Sequence, residues 1–322
     1  MLSPACPPPP ALSWSMTPPS PTAVLPLHLP AWATRCLPDR GGADHPTPAG
    51  PAQLGAALAV LDAAVTAAAP HAGAWANRLA LAAAAAAIAR SGRPEDEAAL
   101  RDLVALSPAP PAGPAAPVLG AHLWLADGPP GPRWGELPAL IAGLGARSGG
   151  VPDELAQTLA TAAALPCPLV AVSAALQPVL AVRPGRDALA VWAADLVLAR
   201  WLGWPYGLPL IGLGLPPQGR VDLSALEGAT LAAVILRGSA RALDRFALLG
   251  HRAAALQAVR PRLRARAAGR VVDRLLARDA VSVAGVRDLI PERAARRLFD
   301  RLVALGAVRE LTGRPTARLY GL

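Results

Sequence analysis

The chain has no lysine: all 31 of its lysine-or-arginine positions are arginine, and 37 of its 322 residues are proline. A GC-rich genome produces that bias by itself, so an arginine carries meaning only where its placement departs from a uniform sprinkling. Aromatic residues are also scarce, at 4% against a hydrophobic fraction of 53%. Much of the apolar content is alanine, the best helix former and a weak core filler, which points to closely packed helices rather than sheet. Cysteine is rare as well. Cys6, Cys36 and Cys167 are odd in number and lack C-x-x-C spacing. That excludes a disulfide framework and a zinc site and fits a reducing, cytoplasmic compartment. Long uninterrupted apolar runs are missing too. The longest uncharged stretch past the proline-rich start, Leu155–Val182, is broken by Pro166, Pro168 and Pro178, and Trp201–Gly219 by Pro205, Pro209, Pro216 and Pro217. A spanning helix needs about 20 mostly apolar residues in one run, so no membrane partner is expected. The N-terminus has no basic segment ahead of an apolar core and does not read as a signal peptide; Met16 is an alternative start.

Catalytic signatures are equally lacking. There is no P-loop, no G-x-S-x-G and no H-E-x-x-H. The histidines His28, His45, His71, His122 and His251 stand isolated, with no second ligand at i+3 or i+4. Gly212 and Gly214 suggest a dinucleotide loop, but Pro217 occupies the place of the third glycine. Glu95, Asp96 and Glu97 are adjacent, so they lie on different faces of one turn; they suit the positive end of a helix dipole better than a metal. No catalytic residue, cofactor or metal is expected. An enzyme with an unrecognised site in the helical body stays as a third-ranked reading.

Prolines and glycines punctuate what is present. Residues 1–50 read as a proline-rich, disordered or loosely draped arm. An Ala-rich helical body follows over 51–260, with helices expected at Pro51–Ala68, Ala74–Arg90, from Pro94 onward, and at Pro138–Ala146, Pro152–Leu165 and Asp187–Leu202. A long helical tract runs from Leu223 to about Val259. Ser107–Pro132 reads as a connector around an apolar island, His122–Leu125, and Gly203–Gly219 as an apolar loop. Trp192, Trp201 and Trp204, among eight tryptophans, read as large rings filling an alanine-rich core.

Charge is unevenly placed. Residues 251–322 hold 16 arginines against 6 acids, a net of +10, while the whole chain carries +9, leaving −1 for residues 1–250. Codon bias cannot segregate charge in this way; a basic terminal segment on a near-neutral body is the footprint of phosphate binding. Within 261–322 the pattern is structured. Pro261–Asp279 is amphipathic, with Leu263, Ala267, Val271, Leu275 and Leu276 inward and Arg266, Arg270, Arg274 and Arg278 forming a ridge that Asp273 partly relieves. Ser282–Ile290 predicts a short helix capped by Ser282. Pro291–Gly306 predicts a basic helix with Ala295, Leu298, Leu302 and Leu305 inward and Arg293, Arg296, Arg297 and Asp300 outward. Ala307–Leu311 and Thr316–Tyr320 predict two strands around a turn at 312–315, with Ala317 and Leu319 on one face and Thr316, Arg318 and Tyr320 on the other. Helix, short helix, basic helix and two-stranded wing is the order of a winged helix-turn-helix. The fold expected is thus mainly α, a helical body followed by that module. Arg293, Arg296 and Arg297 would reach bases or phosphates, and Arg309, Arg314, Arg318, Arg266, Arg270 and Arg274 the backbone.

Three runs carry a family resemblance: HAGAWANRLALAAAAAAIARSGRPEDEAALRDLVAL (His71–Leu106), LARWLGWPYGLPLIGLGL (Leu198–Leu215) and RAARRLFDRLVALGAVRELTGRPTARLYGL (Arg293–Leu322). Together they resemble an uncharacterised bacterial family, domain-of-unknown-function family 1403, along nearly the whole chain after the arm. A RELTGR-type ending also closes certain Fic-like proteins with a C-terminal helix-turn-helix, but the body lacks H-P-F-x-x-G-N-G-R, so no adenylylating activity is implied. The resemblance supports the architecture and implies a mobile-element setting, not a mechanism. The first reading is a DNA-binding protein that docks its module on duplex DNA, alone or as a homodimer, in transcription or maintenance of a mobile replicon. The second is a scaffold whose winged helix binds protein.

Overall fold

Proline and glycine set the helix boundaries of the computed structural model, which describes residues 50–106, 112–129, 131–145, 151–182, 187–216, 221–263, 266–312 and 317–322. The proline-rich arm and Arg314 lie outside them. Twelve α-helices are described: α1 (Pro51–Thr66), α2 (Ala72–Arg90), α3 (Glu97–Leu106), α4 (Ala116–Ala126), α5 (Leu137–Gly143), α6 (Val151–Ala163), α7 (Pro168–Val182), α8 (Asp187–Trp201), α9 (Leu210–Gly214), α10 (Gly228–Val259), α11 (Arg266–Ala277) and α12 (Glu292–Ala304). Three short strands near the C-terminus, β1 (Val281–Ser282), β2 (Arg309–Glu310) and β3 (Leu319–Gly321), form one antiparallel sheet in the order β1-β3-β2.

Four helices depart from expectation. The supposed connector around His122 is α4, whose Pro117 sits in the first turn, where a missing N–H costs nothing. The interrupted stretch after Cys167 is α7, which continues through Pro178; its Ala171, Val172, Ala175, Leu176 and Val179 are buried, and that burial outweighs one lost backbone bond. The third helix begins at Glu97, later than Pro94 predicts, because the Asp96 carboxylate caps it, accepting from Ala99 N at 2.8 Å. The apolar loop expected over 203–219 contains α9, all five of its residues buried.

The core is built from close helix contacts, as alanine requires. At the α9–α10 crossing the backbones touch: a Cβ on Gly238 would lie 1.9 Å from Leu210 O, and one on Gly214 1.9 Å from Val234 O. Large rings fill the gaps that alanine leaves. Trp75, Trp192 and Trp204 are buried, and their indole N–H groups donate to Ala242 O (2.8 Å), Ala121 O (2.9 Å) and Asp62 Oδ1 (2.9 Å). Helix α2, 19 residues with mean hydropathy 1.3 over its apolar window, is long and apolar enough to cross a membrane, and 67% of that window is buried inside the protein. Arg78 interrupts it and Arg90 ends it, so a reading of uncharged stretches passes over it.

One apolar cluster runs from Leu54 in α1 to Leu322 and takes in Trp75, Phe246, Phe299 and Tyr320. The C-terminal segment is therefore packed onto the helical body as part of a common core. A polar clamp reinforces the junction. Asp279, buried between α11 and β1, binds Arg78 Nε through Oδ1 and Arg101 Nε through Oδ2 at 2.6 Å. The Leu322 carbonyl accepts from Arg78 Nη1 (3.1 Å) and Arg252 Nη1 (3.0 Å).

Candidate nucleic-acid interface

The amphipathic pattern of α11 is realised, with Ala268, Val271, Val272, Leu275 and Leu276 buried. It leads through Asp279 into β1, then into a 3-10 turn at Ala284–Val286 in place of the short helix expected over 282–290. Val283 rather than Ser282 opens that turn, and Ser282, one residue earlier, braces it through Oγ, which accepts from Gly285 N at 3.0 Å. Helix α12 starts after Pro291 and ends in a Schellman motif: Gly306, at φ 66°, donates to Val303 O (2.9 Å) and Ala307 to Leu302 O (3.0 Å). Ala295, Phe299 and Leu302 are buried, whereas Leu305, expected inward, is 43% exposed because the helix has already ended.

The hairpin also differs from expectation. β3 pairs on both sides, with Val281 opposite Tyr320 in β1 and Glu310 opposite Tyr320 in β2. Its pairing leaves both edges satisfied, and both faces are covered as well: Leu319, Tyr320 and Gly321 are all buried in place of the alternation expected over 316–320. Tyr320 stacks on Phe299 with ring centroids 4.3 Å apart and planes 1° from parallel, which fixes the sheet against α12.

The arginines sort into two groups. Arg293 and Arg297 are exposed one turn apart on α12, opposite its buried face, and neither makes an ion pair among the described residues. Arg301, one turn on, is exposed and donates to Arg262 O at 3.3 Å. Arg270 on α11, Arg278 just past its end and Arg309 on β2 are exposed without an ion pair among the described residues. Other arginines are engaged. Arg274 forks onto Asp288 (2.6 and 2.8 Å) and donates to Gly285 O (2.6 Å), so it ties α11 to the 3-10 turn and is not free as an outward ridge requires. Asp273 does not relieve that ridge; it pairs with Arg260 at 2.6 and 3.1 Å. Arg296 shares Glu292 with Arg287, and the two, Arg296 first, hold the Glu292 carboxyl below its ordinary range. Arg318 lies 3.8 Å from Glu310 and 3.9 Å from Asp300. Arg266 begins α11, and its side chain is outside the described residues.

Three polar groups inside the body escaped sequence reasoning. Asp195, fully buried in α8, accepts from Ile211 N (2.7 Å) and Gly212 N (3.1 Å) and so caps α9; burial pushes its carboxyl up to about 8. His122 is buried with Nδ1 on Val118 O, and desolvation, opposed by that bond and aided by the Arg90 charge, brings it down to about 4. The Arg90 Nη1 and Nη2 atoms are buried without a hydrogen-bond partner among the described residues. A lone Asp in the apolar run ALAVWAADLVLARW was the one visible signal. No group of three or more metal-ligating side chains occurs among the described residues.

No curated protein and no solved structure matches the chain. The family described as "Protein of unknown function (DUF1403)" matches residues 20–322. The chain thus belongs to the DUF1403 family over nearly all of its length.

Proposed function

We propose that residues 266–322 are a winged helix that docks α12 in the major groove of duplex DNA, making the protein a DNA-binding regulator of transcription or of a mobile replicon. The observation that carries this reading is the connectivity of the module. Helix, strand, helical turn, helix, strand and strand, with sheet order β1-β3-β2, present α12 with its free ridge of Arg293 and Arg297 outward. In winged helices the corresponding helix reads the major groove and the hairpin lies along the backbone. Arg293 and Arg297 are the base-reading candidates, since a guanidinium fork matches guanine O6 and N7. Arg270, Arg278 and Arg309 would hold phosphates.

The test is the salt dependence of binding of the intact protein to a labelled duplex. Truncation would be a poor probe, because removing the module opens the shared core. Three unpaired arginines on phosphates, Arg270, Arg278 and Arg309, give a log–log slope of about −2.7 (roughly −0.9 per contact). Arg309→Gln should lower that slope by about one, and Arg297→Ala should weaken binding about tenfold or more at fixed salt. Absence of duplex binding at about 50 mM salt, where non-specific contacts are strongest, would overturn the reading.

A further inference from the structure

A cleft of about 420 Å³ opens on the body where α2, α9 and α10 meet the start of α3. Its floor is small and apolar, made by Ala82, Ala86 and Gly212; two arginines, Arg241 and Arg245, and two acids, Glu97 and Asp244, stand on its walls. The wall arginines belong to a row at i, i+4 and i+8 of α10 that begins with Arg237. Arg237 Nη1 donates to Gly214 O (2.9 Å), and Arg241 Nη1 donates to Leu213 O, so both guanidinium groups are anchored on the end of α9. Desolvation and then repulsion from Arg237 and Arg245 lower the pKa of Arg241. Arg245 has found a carboxylate within the chain: its Nη2 binds Glu97 Oε1 at 2.8 Å and its Nη1 donates to Arg78 O at 3.3 Å. The Glu97 side chain, 35% exposed, therefore shows what the cleft accepts, a carboxylate lying against a fixed guanidinium fork.

We propose that this cleft binds a small carboxylate with an apolar body, held by Arg241 and Arg245 over the alanine floor in competition with Glu97, and that α3 reports its occupancy to the C-terminal module. The volume lies in the range of small-molecule sites, and an external carboxylate relieves the repulsion along the arginine row. The second part follows from the stripe that α3 presents at i, i+4 and i+8. Glu97 lines the cleft, Arg101 grips Asp279 at the module hinge, and Ala105 borders a groove of about 710 Å³ shared with Arg296, Asp300 and Arg318. A single ten-residue helix thus lines the cleft at its first residue and, at its end, the groove that the flank of α12 also lines. The ligand-binding part stands without the DNA reading, and only its regulatory meaning rests on it.

The experiment uses the full-length protein without DNA. Benzoate, succinate, acetate and inorganic phosphate are titrated at constant ionic strength and followed by calorimetry. Benzoate should bind more tightly than acetate, because the floor is apolar. Arg241→Gln and Arg245→Gln should each weaken it about tenfold. Glu97→Gln, which removes the internal competitor, should tighten it by up to about fivefold. Binding of phosphate but of no carboxylate overturns the assigned chemistry, and no binding by any probe, or binding unchanged in the arginine variants, overturns the site. Hydrogen exchange at saturating benzoate reads the transmission: protection should change within 279–322, and that change should vanish in Arg101→Gln while benzoate still binds. A change confined to the cleft refutes the role given to α3.

Discussion

Removing the Asp279 carboxylate should cost about 3 kcal/mol, several times the effect of an ordinary surface ion pair. The side chain is 5% exposed, and its partners Arg78 and Arg101 are 12% and 14% exposed. Asp279→Ala leaves two guanidinium groups, both largely out of water, without a counter-charge. Breaking a buried pair in this way costs roughly 3–5 kcal/mol, against about 0–1 for an exposed one. The residual exposure of the arginines lets water recover part of the loss, which sets the expectation at the lower end. Two compensations are already spent: Arg78 keeps only its bonds to Asp279 O (3.2 Å) and Leu322 O (3.1 Å), and Arg101 has no other hydrogen bond among the described residues. The assay is urea unfolding of wild type, Asp279→Ala, Arg101→Met and the double variant at pH 7, with stability from linear extrapolation. The double variant should recover at least about 1 kcal/mol of the summed single losses, because the second change removes an orphaned charge. A loss below about 1 kcal/mol for Asp279→Ala would show that the clamp is hydrated and that the module is held by apolar contacts alone.

Three further outcomes follow from the structure. Asp195, with its folded pKa raised to about 8, binds its proton more tightly folded than unfolded, so stability should fall as pH rises from about 4 to 8; His122, lowered to about 4, should lose stability as pH falls below about 6.5. The two slopes oppose one another below about 6.5 and leave a net fall approaching 1.4 kcal/mol per pH unit from there to about 8; a chemical-denaturation pH series should show that limb, and Asp195→Asn should flatten it. Gly238→Ala places a Cβ 1.9 Å from Leu210 O at the α9–α10 crossing, where neither backbone can yield, and should destabilise by about 3 kcal/mol in urea unfolding. Ser282→Ala removes the acceptor for Gly285 N and should cost about 1 kcal/mol in the same assay; no loss would show that the turn is held by its packing.

Features governed by local chemistry were legible in the sequence. Pro51 at the start of α1, Gly306 at the end of α12 and the apolar face of α11 each follow from a preference a few residues wide. Burial decided the rest. Pro178 argues against a helix until α7 is seen to bury its apolar face, and Tyr320 reads as an outer-face residue until Phe299 of α12 is seen to stack on its ring. β1 is two residues long and forms only as a partner of β3, so it has no local signature. In the candidate interface the outward positions of Arg293 and Arg297 were legible from helical periodicity. The diversion of Arg274 to Asp288, 14 residues away, was not, because a charge ridge on a helix does not show what packs beside it. The Arg78–Asp279 contact spans 201 residues and lies beyond any reading by spacing.

The absence of lysine takes on a different meaning once these partners are known. Many of the arginines fasten backbone carbonyls rather than face solvent: Arg133 on Trp124 and Gly128, Arg237 on Gly214, Arg241 on Leu213, Arg252 on Leu322 and Arg274 on Gly285. Helix ends in an alanine-rich body leave carbonyls that small side chains cannot satisfy, and a planar group with five donors can cap a carbonyl while also holding a carboxylate. Arg274 and Arg78 do both. A lysine ammonium is a compact point charge without a fixed fork, so an arginine-to-lysine change at these positions would keep the net charge and lose the joint. Whatever the origin of the arginine bias, the fold has put these side chains to structural use. The net charge of the C-terminal segment therefore overstates its free cations, and what α12 offers a phosphate backbone is set by which arginines the packing leaves unpaired.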